Sequence, residues 1–171
     1  MGVPVTFLAV CAAAVLAGSL PGAVQAADAT LPAGQIKVEQ VDVRLTTAGP
    51  VVLLMAQRRA IPVFVDAVVA ESIRSVLDGR RPVRPLTHDL MHDVLKGFEG
   101  EVTKVVITFK GRIYYGALSV RMGEREKIFD SRSSDAIALA IHFKAPILVT
   151  QELLDSTSVP LEPDAPLERR L

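Results

Sequence analysis

The order strand, strand, strand, helix is written twice along this chain. In the first copy Ile36, Val38, Val41, Val43 and Leu45 alternate with polar residues, with a slip of phase near Gln40. A Gly49-Pro50 turn leads into Val51-Val52-Leu53-Leu54-Met55, and a third apolar stretch covers residues 61–65. Alternation and short apolar runs bounded by turn residues predict strands. A helix is predicted over residues 68–77, where Gly79 stops it. The second copy predicts strands over residues 102–109, 113–122 and 126–129 and a helix over 134–143. A strand over 146–150 and a helical turn near Glu152 follow. Between the copies lie a Pro-punctuated loop, residues 80–86, and a helix over 88–98 whose Leu90, Met91, Val94, Leu95 and Phe98 keep helical spacing.

Sliding the chain by 64 positions lays Phe64-Val65-Asp66 on Ile128-Phe129-Asp130, Glu71-Ser72-Ile73 on Asp135-Ala136-Ile137, Leu77 on Ile141 and Leu54 on Leu118. Self-similarity of this kind predicts two β-β-β-α repeats sharing one core. The fold class is therefore α+β, with a mixed or antiparallel sheet, because hairpin-linked neighbours pair antiparallel.

Residues 1–26 read as a signal peptide ahead of that fold: an apolar run from Val5 to Leu20, a break at Gly18 to Gly22, and small residues around Ala26. Export to the periplasm or the medium follows, with no membrane attachment after cleavage. No Lys or Arg precedes the run, so an uncleaved N-terminal anchor is the alternative, although the run falls short of the roughly 20 residues of a spanning helix. Residues 27–35 read as a linker, 36–154 as one domain and 155–171 as a loose Pro-rich tail. The one cysteine, Cys11, leaves with the signal peptide, which excludes disulfides, thiol catalysis and thiolate metal sites. With 19 basic and 19 acidic residues the chain lacks the positive excess that marks many nucleic-acid binders. Arg58, Arg59, Arg74, Arg80, Arg81 and Arg84 nevertheless crowd one stretch, so a local basic patch remains open. No Trp is present to stack on bases.

Two polar stretches carry the candidate chemistry. Arg84-Pro85-Leu86-Thr87-His88-Asp89-Leu90 spans a loop-to-helix junction, and Asp130-Ser131-Arg132-Ser133-Ser134-Asp135 precedes the apolar run Ala136 to Ile141. Structural roles account for much of this: Thr87 as a helix cap, Ser133 or Ser134 as another, Asp89 and Asp135 in first turns where the helix dipole favours them. His88 is harder to assign to structure, because a first-turn imidazole gains nothing from a helix N-terminus, and its ionisation suits proton transfer or metal ligation. The functional alternative gathers Asp130 and Asp135 with Glu71 or Asp66 around a divalent cation, with Arg84 and Arg132 holding phosphate. His88 and His92, four apart, resemble a metalloprotease pair, but Asp89 stands where that motif has Glu and no third ligand follows. No phosphate-binding Gly-rich loop, dinucleotide fingerprint or nucleophile elbow is present.

These two stretches resemble the signatures of the bifunctional nuclease domain family. Arg84 to Leu90 is similar to its central signature, and Asp130 to Ala140 to its second, usually Asp-Ala-Arg-Pro-Ser-Asp-Ala-Ile-Ala-Leu-Ala. Ile61-Pro62-Val63-Phe64-Val65 with Glu71 resembles a third segment. Asp66 stands where the family usually has Gly, Ser72 where it has Ala and Ser133 where it has Pro, and His92 lies outside the signature. The resemblance implies a nuclease acting on DNA and RNA by metal-assisted phosphodiester hydrolysis. It implies His88, Asp89, Asp130 and Asp135 as catalytic residues, Arg84, Thr87 and Arg132 as substrate-binding residues, and Glu71, Asp130 and Asp135 as ligands of Mg2+ or Mn2+. Nucleic acid is then the partner. The contrasting expectation is a non-catalytic binding or assembly module, self-associating as a homo-oligomer through an apolar edge or helix face.

Overall fold

The computed structural model describes residues 32–160; the expected signal peptide lies outside them. Among the described residues, nine strands form two sheets. Strands β1 (Gln35–Lys37) and β2 (Gln40–Thr46) replace the single first strand expected. The slip near Gln40 is the point where the chain changes sheets: Val38 N–H donates to the carbonyl of Ile147 at 2.8 Å, and Glu39 N–H to that of Met55 at 2.8 Å. Next come β3 (Gly49–Ala56) and β4 (Arg59–Phe64), joined through Gln57 and Arg58 at φ 50° and 58°. This is a tight mirror-image turn built without glycine. Helix α1 (Ala67–Leu77) and helix α2 (Thr87–Gly97) precede β5 (Gly100–Lys110), β6 (Ile113–Met122) and β7 (Arg125–Arg132). Helix α3 (Ser133–Phe143), β8 (Ile147–Thr150), helix α4 (Gln151–Thr157) and β9 (Val159–Pro160) complete the order.

The strand orders are β1-β8-β5-β6-β7 in one sheet and β2-β3-β4-β9 in the other. Only β5 and β8 pair in parallel; the second sheet is wholly antiparallel. The α+β class with mixed and antiparallel sheets is as expected. So is the shared core: Val52, Leu54 and Ile61 of one sheet and Val105, Ile107 and Leu118 of the other enclose Ile73 of α1 and Ile137 of α3. Helix α3 is the central element, its residues Ala136 to Ala140 all buried. The segment read as a tail from Asp155 is ordered as far as Pro160, because α4 runs through it and β9 pairs with Arg59 and Ala60 of β4.

The constant offset between the halves holds only in part. Val41 pairs with Leu54 and Val105 with Leu118, so the first hairpins correspond. The third strands do not: Leu54 faces Ile61, whereas Leu118 faces Phe129 rather than Arg125. Asp66 consequently precedes α1 as its N-cap, while Asp130 lies inside β7. Two cap expectations are also corrected. Helix α2 begins at Thr87, one residue too early for Thr87 to cap it, and Asp89 instead accepts the Leu86 N–H at 2.9 Å. Helix α3 begins at Ser133 with Arg132 at its N-cap, and neither Ser133 nor Ser134 caps it.

Helix α2 reverses the usual amphipathic arrangement. Leu90, Met91, Val94 and Phe98 are exposed, and the one buried residue of α2 is His88. An apolar stripe normally faces the core; here Met91 and Leu95 of that stripe face an open cavity.

Candidate active site

That cavity, about 1020 Å3, lies between α2, the N-terminal ends of α1 and α3, and strands β6 and β7. Its wall is apolar, with Val68, Met91, Leu118, Val120, Phe129 and Leu139 among the lining side chains. Asp66, Thr87, His88, Asp130, Arg132 and Asp135 supply polar groups, and Arg125 and Lys127 add two cations. Lys127 Nζ stands 5.1 Å from the centre of the Phe129 ring.

Gly116 sets how closely the α3 end of this site approaches the sheet. A Cβ at that position would come within 2.7 Å of the Ala136 Cβ and 3.1 Å of the Arg132 carbonyl. The bare glycine therefore lets the Arg132 to Asp135 turn lie directly on β6. Asp135, in the first turn of α3, is the hub of the site. It accepts two hydrogen bonds from the Arg132 fork, Nε to Oδ2 at 2.8 Å and Nη2 to Oδ1 at 3.0 Å. His88 Nε2 lies 3.2 Å from the same Oδ1. Burial pushes the Asp135 carboxyl up, but the hydrogen bonds from Arg132 and His88 outweigh it and hold the group below the ordinary 3.8. Arg132 is raised in turn, chiefly by its hydrogen bond to Asp135. Its remaining nitrogen, Nη1, reaches Asp66 Oδ2 at 3.4 Å, linking the N-terminal ends of α1 and α3.

His88 is 7% exposed, and its Nδ1 is buried with no hydrogen-bond partner among the described residues. With Nε2–H donated to Asp135, Nδ1 carries the lone pair. A buried polar atom left without a partner calls for a water or ligand group.

The structure thus brings together His88, Thr87, Asp130, Arg132, Asp135 and Asp66. It does not bring Glu71 to them. Glu71 lies in the fifth position of α1, pairs with Arg80 at 3.5 Å, and lines a separate cavity with Arg44 and Arg74. The sequence match of Glu71 to Asp135 fails because the third strands are offset differently. Arg84 is exposed in the loop before α2 and is not among the residues lining the main cavity. Asp89 points away from that cavity, to the Leu86 N–H and, at 3.8 Å, to His142 Nδ1.

Neither His142 nor Ser72 is among the site residues expected from the sequence. His142 Nε2 lies 3.0 Å from Ser72 Oγ. One signal was available: His142 sits two turns after Asp135 on an otherwise apolar helix, hence on nearly the same face. His92 pairs with Asp93 at 3.1 Å and packs on Phe143.

A protein-held cation does not fit these side chains. Among the described residues, no three of His, Cys, Asp and Glu form a group able to hold a metal ion. Both oxygens of Asp135 are engaged by Arg132 and His88.

The bifunctional nuclease domain model matches residues 51–162, about two thirds of the chain. The chain belongs to the bifunctional nuclease domain family. The match begins in β3 and includes α1, α2, the whole candidate site and β9. Strands β1 and β2 lie before it yet complete both sheets, so the folded domain extends beyond the matched residues. Two Mycobacterium tuberculosis proteins are similar. Uncharacterized protein MT1877 of strain CDC 1551 / Oshkosh is 28% identical over 124 residues, covering 71% of this chain and 74% of its own. Uncharacterized protein Rv1829 of strain ATCC 25618 / H37Rv gives the same values.

Proposed function

We propose that this bifunctional nuclease domain hydrolyses phosphodiester bonds in DNA or RNA, with low sequence specificity, at the edge of the main cavity. The observation that carries this reading is the Arg132, Asp135 and His88 network beside an apolar wall. Arg132 is mostly exposed, and the N–H groups that its two terminal nitrogens do not give to Asp135 and Asp66 can meet a phosphate oxygen. Asp135 orients the His88 ring and leaves the Nδ1 lone pair free; that atom is buried, so it takes a proton from a water admitted to its side of the ring as substrate binds. As the water oxygen bonds to phosphorus, its proton passes to Nδ1. The ester P–O bond breaks, and the departing oxygen is protonated from solvent. Met91 and Phe129 offer base faces an apolar surface without hydrogen-bond readout, which supports low sequence specificity, and Lys127 adds a positive charge beside it.

The test uses purified protein and fluorescent single-stranded DNA and RNA, with EDTA and with added Mg2+ or Mn2+. Cleavage is expected to fall about 100-fold or more in His88→Ala and Asp135→Ala, the scale of lost general-base catalysis. Variants as active as the wild type would place the chemistry elsewhere or in a contaminant. The same cation arms decide whether an ion carried by the substrate contributes. Residues 1–26 are read as the export signal, and the N-terminal mass of protein recovered outside the cytoplasm tests that placement.

A second reading, a self-associating module without hydrolytic activity, is favoured by β7. It is an edge strand, with Ile128 64% and Phe129 42% exposed on opposite faces. Such an edge can pair with the same strand of a second copy. Light scattering on the wild type and on Ile128→Lys tests this: a dimer abolished by the substitution supports it, and a wild-type monomer at high concentration rejects it.

A further inference from the structure

Two His–Asp pairs cross between α2 and α3 in opposite senses. His88 of α2 reaches Asp135 of α3, Nε2 to Oδ1 at 3.2 Å. His142 of α3 faces Asp89 of α2, Nδ1 to Oδ1 at 3.8 Å. The two rings are stacked with centroids 6.4 Å apart and planes 29° from parallel. Of the two histidines, His88 lines the main cavity; the His142 side chain is 5% exposed.

A third polar group joins the second pair, whose own 3.8 Å separation is longer than a hydrogen bond. Ser72 Oγ of α1 lies 3.0 Å from His142 Nε2. With Nδ1–H directed at Asp89, Nε2 carries the lone pair and accepts the Ser72 hydroxyl proton. The other Asp89 oxygen accepts the Leu86 N–H at 2.9 Å and closes the first turn of α2. His88 stands in that same turn. Serine, histidine and carboxylate in this order are the parts of a nucleophilic triad. Ser72 is 0% exposed, however, so its hydroxyl cannot meet a substrate.

We propose that Ser72, His142 and Asp89 are positioning residues: they lock the first turn of α2 to α1 and α3 and so hold His88 against Asp135. Any effect on rate rests on the nuclease reading; the positioning itself does not. The titratable groups acting on His142 all come from α2: Asp89 and Asp93 favour its charged form, and His88 and His92 oppose it. Helix α1 contributes the uncharged Ser72. Burial is the largest influence and holds the imidazole below its ordinary 6.5, so the ring stays neutral near pH 7 and its Nε2 lone pair remains available to Ser72. Protonation puts N–H on both ring nitrogens and a charge beside two other histidines. The lock is then strained at the turn that carries His88.

The experiment follows the His88 Nε2–H resonance by NMR and, separately, kcat and KM from about pH 5 to 8. The proteins are the wild type, Ser72→Ala, Ser72→Thr and His142→Gln. The His88 resonance is expected to move or broaden in Ser72→Ala and His142→Gln and to stay in place in Ser72→Thr, which keeps the hydroxyl. In the first two, kcat is expected to fall about tenfold, with KM within about twofold, the pattern of a mis-set catalytic group. The acidic limb of the rate profile should shift in His142→Gln. A His88 resonance unchanged in all variants, and in the wild type as the pH falls, overturns the proposal. If the resonance responds while no protein cleaves nucleic acid, positioning stands and the nuclease reading fails. If cleavage is present and the variants match the wild type in both measurements, positioning fails and the nuclease reading stands. In the wild type the His142 ring protons are followed in the same titration, so a variant that does not fold still leaves a result: a His88 shift that tracks His142 supports the proposal, and one independent of His142 overturns it.

Discussion

Asp135 accepts three hydrogen bonds on two oxygens, and its ionisation is linked to the stability of the whole site. Its folded carboxyl lies below the ordinary 3.8, so an unfolded chain takes up that proton first as the pH drops. The stabilisation is complete above the ordinary value and disappears as the pH falls through the folded one. The gap in Tm between wild type and Asp135→Asn should therefore be widest near pH 7 and close as the pH falls below the ordinary 3.8 and through the lower folded value, read by circular dichroism. His142 has the same sign for a different reason. Burial depresses its folded value below 6.5, so folding is weakened as the pH falls below about 6.5. Part of the wild-type loss in Tm over that range should be absent in His142→Gln; identical slopes would remove His142 as the cause. His88, Arg132 and Asp135 were readable in the sequence because each sits within a short, unusually polar stretch. Ser72 and His142 were not. They lie far apart in sequence, on α1 and α3, and only their packing makes them partners. Glu71 was expected beside Asp130 and Asp135 from the family resemblance and from a fixed offset, and the third strands do not keep that offset.

At the scale of elements, the contact of α3 with β6 controls the site. A methyl group at position 116 must push Ala136 or the Arg132 carbonyl, and backbone yields little. Gly116→Ala is expected to cost about 1–3 kcal/mol, the range for overpacking a close contact, measured by urea unfolding. It should also lower cleavage by displacing Arg132 and Asp135 together. Full activity and stability in this variant would mean that the turn tolerates displacement. Helix periodicity located α2 within a residue of its observed ends, but periodicity reports that a face is apolar, not what that face meets. Met91 and Leu95 face the cavity, and Leu90, Val94 and Phe98 are exposed. Strand positions were also readable, with β6 matching in full, but β7 runs over Arg125–Arg132 where residues 126–129 were expected. The turn at Gln57-Arg58 carried no warning, since its left-handed conformations are occupied without glycine or asparagine.

Across the whole molecule, local patterning revealed the elements but not the division into two sheets. The phase slip near Gln40 was visible; its meaning, successive amides committed to opposite sheets, required both partners. Strand β1 is paired with β8, and β8 alone joins it to β5. A fragment ending at residue 145 should therefore lose cooperative unfolding in urea, because it leaves both β1 and one side of β5 without partners. A sharp two-state transition in that fragment would show that the second sheet and α3 suffice. The pairing of Gln35 with Thr150 also sets a timetable. A chain made from its N-terminus holds β1 idle until Ile147 to Thr150 have emerged, and the long-range closure that completes the larger sheet waits for that segment. Until Thr150 has been made the larger sheet cannot close, so β1 stays unpaired while more than a hundred residues are added behind it.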